Sequence, residues 1–317
     1  MITLKVGTRR SKLATTQTTQ VLQALRDKNP DIHFETVEIV TQGDQIQDVA
    51  LAKVGGKGLF VSDIETALLN KTIDLAVHSM KDVPAVLADG LMIGAIPMRE
   101  DPRDMLITKH GDTLSTLKKG AVIGTSSLRR AAQILALRPD VVVQTIRGNI
   151  DTRLQKLQEL DAITLATAGL ARMGWWDGER ILYGTSHFQG QPLAIQDMIP
   201  AVGQGALAIE CRADDQSVLT LLSTIHDKMT AIAIQQERAF LATVGGSCQV
   251  PIGALAIPDL LHAQSTILAV IASPDGTTVL KTSRQGSLSI DLGRSVAIEL
   301  LDAGGQSILQ ALSKTGG

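Results

Sequence analysis

Strand-length apolar runs alternate with helix-like segments through the first two thirds of the chain, and this rhythm limits the fold more than any other feature. Thr3–Gly7 alternates as a strand, and Ser11–Lys28 predicts a helix that starts from a Ser cap. His33–Val40 alternates again. Ser62-Asp63-Ile64-Glu65 has the spacing of a capping box and predicts a helix to about Asn70. Leu75–His78, Ala121–Gly124, Val141–Thr145 and Ala162–Ala166 are further apolar runs, with helices predicted over Ser127–Leu137 and Ile150–Glu159. A strand–helix–strand repeat builds mainly parallel sheets covered by helices. From about Ile225 the texture changes. A helix over Thr230–Val244 leads to a glycine-rich loop, strands at Ile267–Ala272 and Thr278–Ser283, and a last helix over about Gly293–Leu312. This second pattern predicts a smaller α+β domain. Pro97–Pro102 and Pro200–Gly205 are candidate boundaries, because both are rich in Pro or Gly.

Several of these strands run straight into small hydroxyl residues and cations. Gly7 leads to Thr8-Arg9-Arg10-Ser11, His78 to Ser79-Met80-Lys81-Asp82, Gly124 to Thr125-Ser126-Ser127-Leu128-Arg129-Arg130, and Ile146 to Arg147-Gly148-Asn149. Ligands of open α/β sheets bind at the carboxyl ends of strands. Arginine there recognises carboxylate or phosphate in a bidentate manner. Between Gly124 and Gln155 five Arg face two Asp, a local charge of +3 in a chain whose net charge is -2. One such Arg is an ordinary surface charge; a recurring set points to a small ligand with many negative groups.

The balance of 30 Lys and Arg against 32 Asp and Glu gives no global pull toward nucleic acid or an anionic membrane. Two Trp, one Tyr and four Phe are too few for a base-stacking platform. No window reaches ~18 uninterrupted apolar residues, so no membrane-spanning helix is expected. The N-terminal segment lacks the layout of a signal peptide, and a cytoplasmic location is the expectation. Two cysteines exclude a disulfide scaffold, and the six His lack metal-site spacing, so no metal is expected.

Single residues leave alternatives open. Lys53-Val54-Gly55-Gly56-Lys57-Gly58 is a surface loop or a lid over an anion site. Asp82 is a helix-start acid or a carboxylate suited to stabilise a developing cation. Cys248, between Gly246 and Pro251, is an inert loop thiol or a reachable one; Cys211 ends an apolar run and reads as a core thiol. Trp175-Trp176 reads as local packing. From the charges alone, a non-catalytic anion-binding module also fits. An Arg-rich phosphosugar enzyme would need a phosphate loop or metal carboxylates that the sequence does not contain.

Taken in order, the motifs resemble those of the hydroxymethylbilane synthase (porphobilinogen deaminase) family. They are Gly7-Thr8-Arg9, Leu51–Phe60, Asp74–Pro84, Arg99–Asp104, Gly124–Arg130, Arg147–Asn149 with Thr152–Leu154, and Ala168–Leu170 with Arg172. Pro200–Gly205, Glu210–Arg212, Glu237–Ala239 and Cys248–Gly253 complete the set. The resemblance implies an α/β fold of two type II periplasmic-binding-protein-like domains with a hinged cleft, plus a small C-terminal α+β domain. On this chain the domains would be 1–98 with 200–222, then 99–199, then 223–317. The implied reaction joins four porphobilinogen molecules head to tail with loss of ammonia and releases hydroxymethylbilane, a step of tetrapyrrole (haem) biosynthesis. The implied cofactor is a dipyrromethane joined to Cys248 by a thioether.

Asp82 would be the catalytic carboxylate, assisting deamination and stabilising the azafulvene cation. Lys81, Thr125, Ser126, Ser127, Arg129, Arg130, Gly148, Gln204 and Gly205 would hold the cofactor. Arg9, Ser11, Gln17, Ser79, Arg147, Arg153 and Arg172 would bind substrate, and Lys53 and Lys57 would belong to a lid loop. The implied state is a cytoplasmic monomer with no nucleic-acid or membrane partner. Two positions depart from the family pattern: Gln42, where Arg is common, and Ser247, where Gly is common.

Overall fold

The computed structural model describes residues 2–41, 61–245 and 250–315, so Gln42, Lys53, Lys57, Ser247 and Cys248 lie outside the described residues. The chain divides into two compact units, residues 1–100 with 206–231, and residues 101–205 with 232–317.

In the first unit, β1 (Ile2–Thr8), α1 (Lys12–Lys28), β2 (Ile32–Glu38), α2 (Ser62–Leu69), β3 (Leu75–Ser79) and β4 (Leu91–Ala95) follow one another. The second unit begins with β5 (Asp104–Thr108), β6 (Val122–Gly124), α3 (Leu128–Leu137), β7 (Val142–Gln144), α4 (Ile150–Lys156), β8 (Ala162–Ala166) and α5 (Thr167–Arg172). The hairpin β9 (Arg180–Tyr183) and β10 (Ser186–Pro192) comes next. The chain returns to the first unit for β11 (Leu207–Arg212) and α6 (Gln216–Ser223), and leaves it along α7 (Lys228–Val244). In the second unit again come β12 (Ile252–Asp259), β13 (Gln264–Ala272), β14 (Val279–Ser287), α8 (Asp291–Leu300) and α9 (Gln306–Thr315).

The first sheet has the order β2-β1-β3-β11-β4. Strands β1, β2 and β3 are parallel, and β11 runs antiparallel between β3 and β4. Strand β3 is apolar almost throughout because both faces are covered. Leu75 and Val77 face α1 and α6 through Val21, Leu22, Leu25, Val218 and Leu222. Ala76 faces the α2 side with Ile64 and Leu68. Each fully buried aliphatic side chain contributes roughly 1.5–3 kcal/mol.

The second sheet, β7-β6-β8-β5-β10-β9, repeats the plan: three parallel strands, then the antiparallel strand β5. This is the α/β architecture with two like sheets that the sequence predicts. The segment after Gly174 has a defined job here. Strand β10 pairs with β5 and β9 closes the edge, while Ile181 and Phe188 extend the core around Met105, Ile107 and Leu165. Trp175 meets Tyr183 edge-on at 4.8 Å, so the tryptophans do pack locally. A third, antiparallel sheet, β12-β13-β14, belongs to the same unit and buries Ala254, Ile267 and Ile271 against Phe240, Leu292 and Val296.

Two local expectations are corrected. Ser62 and Glu65 form no capping box: Val61 precedes the helix without a side-chain cap, and Glu65 Oε1 instead accepts from the Ala88 amide at 2.9 Å. The C-terminal segment is not one helix. A π-turn at Leu301–Gly305, with Gly304 at φ 115°, separates α8 from α9.

Candidate active site

In the first unit, the carboxyl ends of β1 and β3 carry the predicted residues. Ser11 caps α1, its hydroxyl accepting from the Ala14 amide at 3.3 Å. One turn on, buried Gln17 points at β3 and exchanges hydrogen bonds with Ser79, Nε2 to Oγ at 3.0 Å and Oγ to Oε1 at 3.2 Å. The chain leaves β3 through a short 3-10 turn, Met80–Asp82, anchored by the Met80 amide on the Ala206 carbonyl at 3.0 Å. Buried Met80 pins this turn, leaving Lys81 half-buried and Asp82 exposed. No hydrogen bond or ion pair engages Asp82 among the described residues. Beneath the turn, His78 Nε2 lies 2.9 Å from Glu210 Oε2, and both side chains are buried.

In the second unit, β6, β7 and β8 end at one sheet edge, and β5 begins there, because Asp104 pairs with Ala166. Thr125 is buried and accepts from the Ser127 amide at 3.2 Å, Ser126 is exposed, and Ser127 caps α3 by accepting from the Arg130 amide at 3.4 Å. The cap directs the first turn of α3 inward, so Arg129 and Arg130 are buried. Both meet a carboxylate of the chain itself. Arg129 Nη1 donates to Asp104 Oδ2 at 2.6 Å and to the Ile199 carbonyl at 2.7 Å. Arg130 Nε donates to Asp104 Oδ1 at 2.8 Å, and its Nη1 to the Thr164 carbonyl at 3.1 Å. Gln204 Nε2 donates to the same Asp104 Oδ1 at 2.9 Å and to the Pro102 carbonyl at 2.7 Å. Burial raises the Asp104 carboxyl, but the Arg129 and Arg130 charges outweigh it and hold it well below the usual carboxylate range.

One carboxylate thus serves two buried guanidiniums. Arg153 adds a third cation: burial and then the Arg130 charge push it down to about 10. The turn before α4 aims it. Gly148 sits at φ 106°, and a Cβ there would lie 2.7 Å from Thr152, so only glycine fits. Its carbonyl accepts from Arg153 Nε at 2.8 Å. Arg147 is half-buried beside it, and Arg172 is buried, with Nη2 donating to the Gly205 carbonyl at 2.7 Å.

A donor set with excess positive charge at a sheet edge fits a polycarboxylate such as a dipyrromethane. Among the described residues, no group of His, Cys, Asp and Glu could hold a metal. Cys211 is fully buried, and burial followed by the Asp215 charge pushes its thiol up to about 11, which leaves it inert.

Two residues escaped sequence reasoning. Asp104 ends the Arg99–Asp104 motif, but nothing in the sequence says that it faces two arginines 25 and 26 positions away. Glu237, buried in α7, accepts from the Gly203 amide at 2.7 Å and the Ala256 amide at 3.0 Å. It thereby ties the Pro200–Gly205 segment to β12. At the same junction Gly253 is required, because a Cβ would lie 2.5 Å from the Pro200 carbonyl oxygen. The sequence carries no local signal for Glu237, which sits in the polar run Gln235-Gln236-Glu237-Arg238.

Two family models match the chain. "Porphobilinogen deaminase, dipyromethane cofactor binding domain" covers residues 4–220, and "Porphobilinogen deaminase, C-terminal domain" covers 231–302. A porphobilinogen deaminase of Bacillus subtilis is 52% identical over 318 aligned residues, spanning 99% of this chain and 98% of the relative. One from Brevibacillus brevis is 52% identical over 96% of each chain, and one from Listeria innocua 50% identical over 97% of each.

Proposed function

The chain belongs to the porphobilinogen deaminase family, and from that premise we propose how its residues divide the work. The enzyme is a transferase of tetrapyrrole biosynthesis: it joins four porphobilinogen molecules head to tail, losing ammonia at each addition, and releases hydroxymethylbilane. Its cofactor is a dipyrromethane, which when bound supplies the pyrrole carbon that starts the chain.

Asp82 is the catalytic carboxylate. Its exposed position at the end of β3 lets it reach a substrate nitrogen. There it stabilises the cation that forms as the aminomethyl group gives up ammonia. Lys81 beside it binds an acetate or propionate group. Gln17 and Ser79 orient each other, and with Arg9 and Ser11 they bind substrate on the same edge.

In the second unit, Arg129, Arg130, Ser127, Thr125, Ser126, Gly148, Gln204 and Gly205 hold the cofactor, and Arg147, Arg153 and Arg172 take incoming substrate carboxylates. Cys248 is the attachment residue, and Lys53 and Lys57 act in a lid. The division into residues 1–98 with 200–222, 99–199 and 223–317 belongs to the same reading. So does a cytoplasmic monomer whose partner is its small substrate, with neither nucleic acid nor membrane.

The observation that carries the reading is the arginine cluster around Asp104, whose one carboxylate leaves positive charge over. Each pyrrole unit brings two carboxylates, and each charged hydrogen bond contributes roughly 1.5–3 kcal/mol. Incubation of the purified protein with porphobilinogen tests it, with ammonia and product mass followed together. One ammonia per porphobilinogen consumed and a linear four-pyrrole product are expected, with Arg153→Leu raising KM about tenfold. An unchanged KM in Arg153→Leu would remove Arg153 from substrate binding.

A further inference from the structure

Asp104 spends both carboxylate oxygens on residues of its own unit: Oδ2 on Arg129, Oδ1 on Arg130 and Gln204. Two buried guanidiniums repel each other and do not stay side by side unaided. The bonds to Asp104, Ile199 and Thr164 engage two of the five N–H donors of each arginine. The other donors of Arg129 and Arg130 meet no protein acceptor among the described residues. One carboxylate therefore fixes the planes of two forks without using them up.

We propose that Asp104 is a positioning residue for carboxylate recognition, holding Arg129 and Arg130 as one preset receptor for the acid groups of the pyrrole rings. This rests on the reading that the two arginines bind carboxylates. Aspartate suits the task because it offers two acceptor edges. Asparagine offers one, and its amide donors would face a guanidinium. Gln204 gives its two amide hydrogens to Asp104 and to the Pro102 carbonyl, so it steadies the carboxylate from the Pro200–Gly205 segment, which Glu237 holds in place.

The test compares Asp104→Glu, Asp104→Asn and Arg130→Lys by three readouts: the fraction of purified protein carrying the cofactor by intact mass, KM against kcat for porphobilinogen, and the melting temperature. Asp104→Glu keeps the charge and moves the carboxylate by one methylene, a displacement that loosens preset geometry. It is expected to stay folded, to carry less cofactor, and to show KM raised about tenfold with kcat of the loaded fraction within about threefold. Asp104→Asn shows a larger loss; should it not fold, Asp104→Glu decides alone. Folded Asp104 variants with full cofactor and native KM overturn the proposal, leaving Asp104 a purely structural group. If Arg130→Lys raises KM while Asp104→Glu does not, only the role of Asp104 fails. If Arg130→Lys also changes nothing, the carboxylate reading of the arginines fails with it.

Discussion

Replacing Asp82 by Asn separates catalysis from folding more cleanly than any other change in this chain. The substitution keeps the shape of the side chain and removes its charge. Asp82 is exposed at the end of the Met80–Asp82 turn, and no described residue bonds to it. An exposed residue without a partner changes stability by no more than about 0.5 kcal/mol. For a unit of this size that is a melting shift of about 2 °C or less. The turn itself survives, because the Met80 amide bond to Ala206 and the buried Met80 side chain hold it. The catalytic loss is set by the cation that the carboxylate no longer stabilises. Removing one preorganised electrostatic group lowers kcat by about 10²–10³, or roughly 2.7–4 kcal/mol of barrier. The assay is ammonia release from porphobilinogen, with cofactor content and melting temperature measured on the same sample. The expected result is native melting, retained cofactor and kcat lowered by about a hundredfold or more. A kcat within about threefold of native would refute the reasoning. So would an equal loss of activity accompanied by a melting drop of more than about 5 °C, since Asp82 would then act through the fold.

Glu237→Gln replaces a carboxylate that accepts two backbone amides with a group that accepts one and turns an amide donor on the other. It should destabilise the second unit by about 2–4 kcal/mol, seen in urea unfolding; a midpoint unchanged from native contradicts this role. Asp104 makes a pH prediction. Its carboxyl is more acidic folded than unfolded, so the unfolded chain binds more protons in acid. Its contribution is therefore fully present above about pH 4 and is lost as pH falls through the depressed folded value. Urea midpoints of native protein and Asp104→Asn should differ by a constant amount from pH 7 to about 5 and converge in stronger acid. Convergence already between pH 7 and 5 would show a carboxyl that is not held down.

Much of this fold was legible because its central strands are nearly pure apolar runs. Leu75–His78, Ala121–Gly124 and Ala162–Ala166 announce buried parallel strands, and Ser11 and Ser127 announce the helices that follow. Strands β4, β5 and β11 were missed because their neighbours in the sheet are far off in sequence. Met105 to Ile107 is an apolar run like a buried helix turn until β8 and β10 flank it. The Ser62 capping box failed for a tertiary reason: the Ala88 amide competes for Glu65 and wins. Gly304 hid inside an amphipathic pattern that runs on through both C-terminal helices.

At the site, the identities of the cations were readable from strand-end placement, but their partners were not. Sequence shows Arg129 and Arg130 as two free charges; packing shows them sharing Asp104. The caps at Ser11 and Ser127 were legible and are present in the fold, whereas their role as ligand contacts comes from the family resemblance alone. The tie from Glu237 to Gly203 and Ala256 spans separations that no local pattern encodes.

The central claim is that the reaction proceeds on a group fixed to Cys248, and intact mass under denaturing conditions tests it most directly. Native protein should carry an excess mass equal to one dipyrromethane, Cys211→Ala should keep it, and Cys248→Ala should lose it. A bare polypeptide mass that stays bare after incubation with porphobilinogen would contradict the claim, as would an adduct that survives in Cys248→Ala.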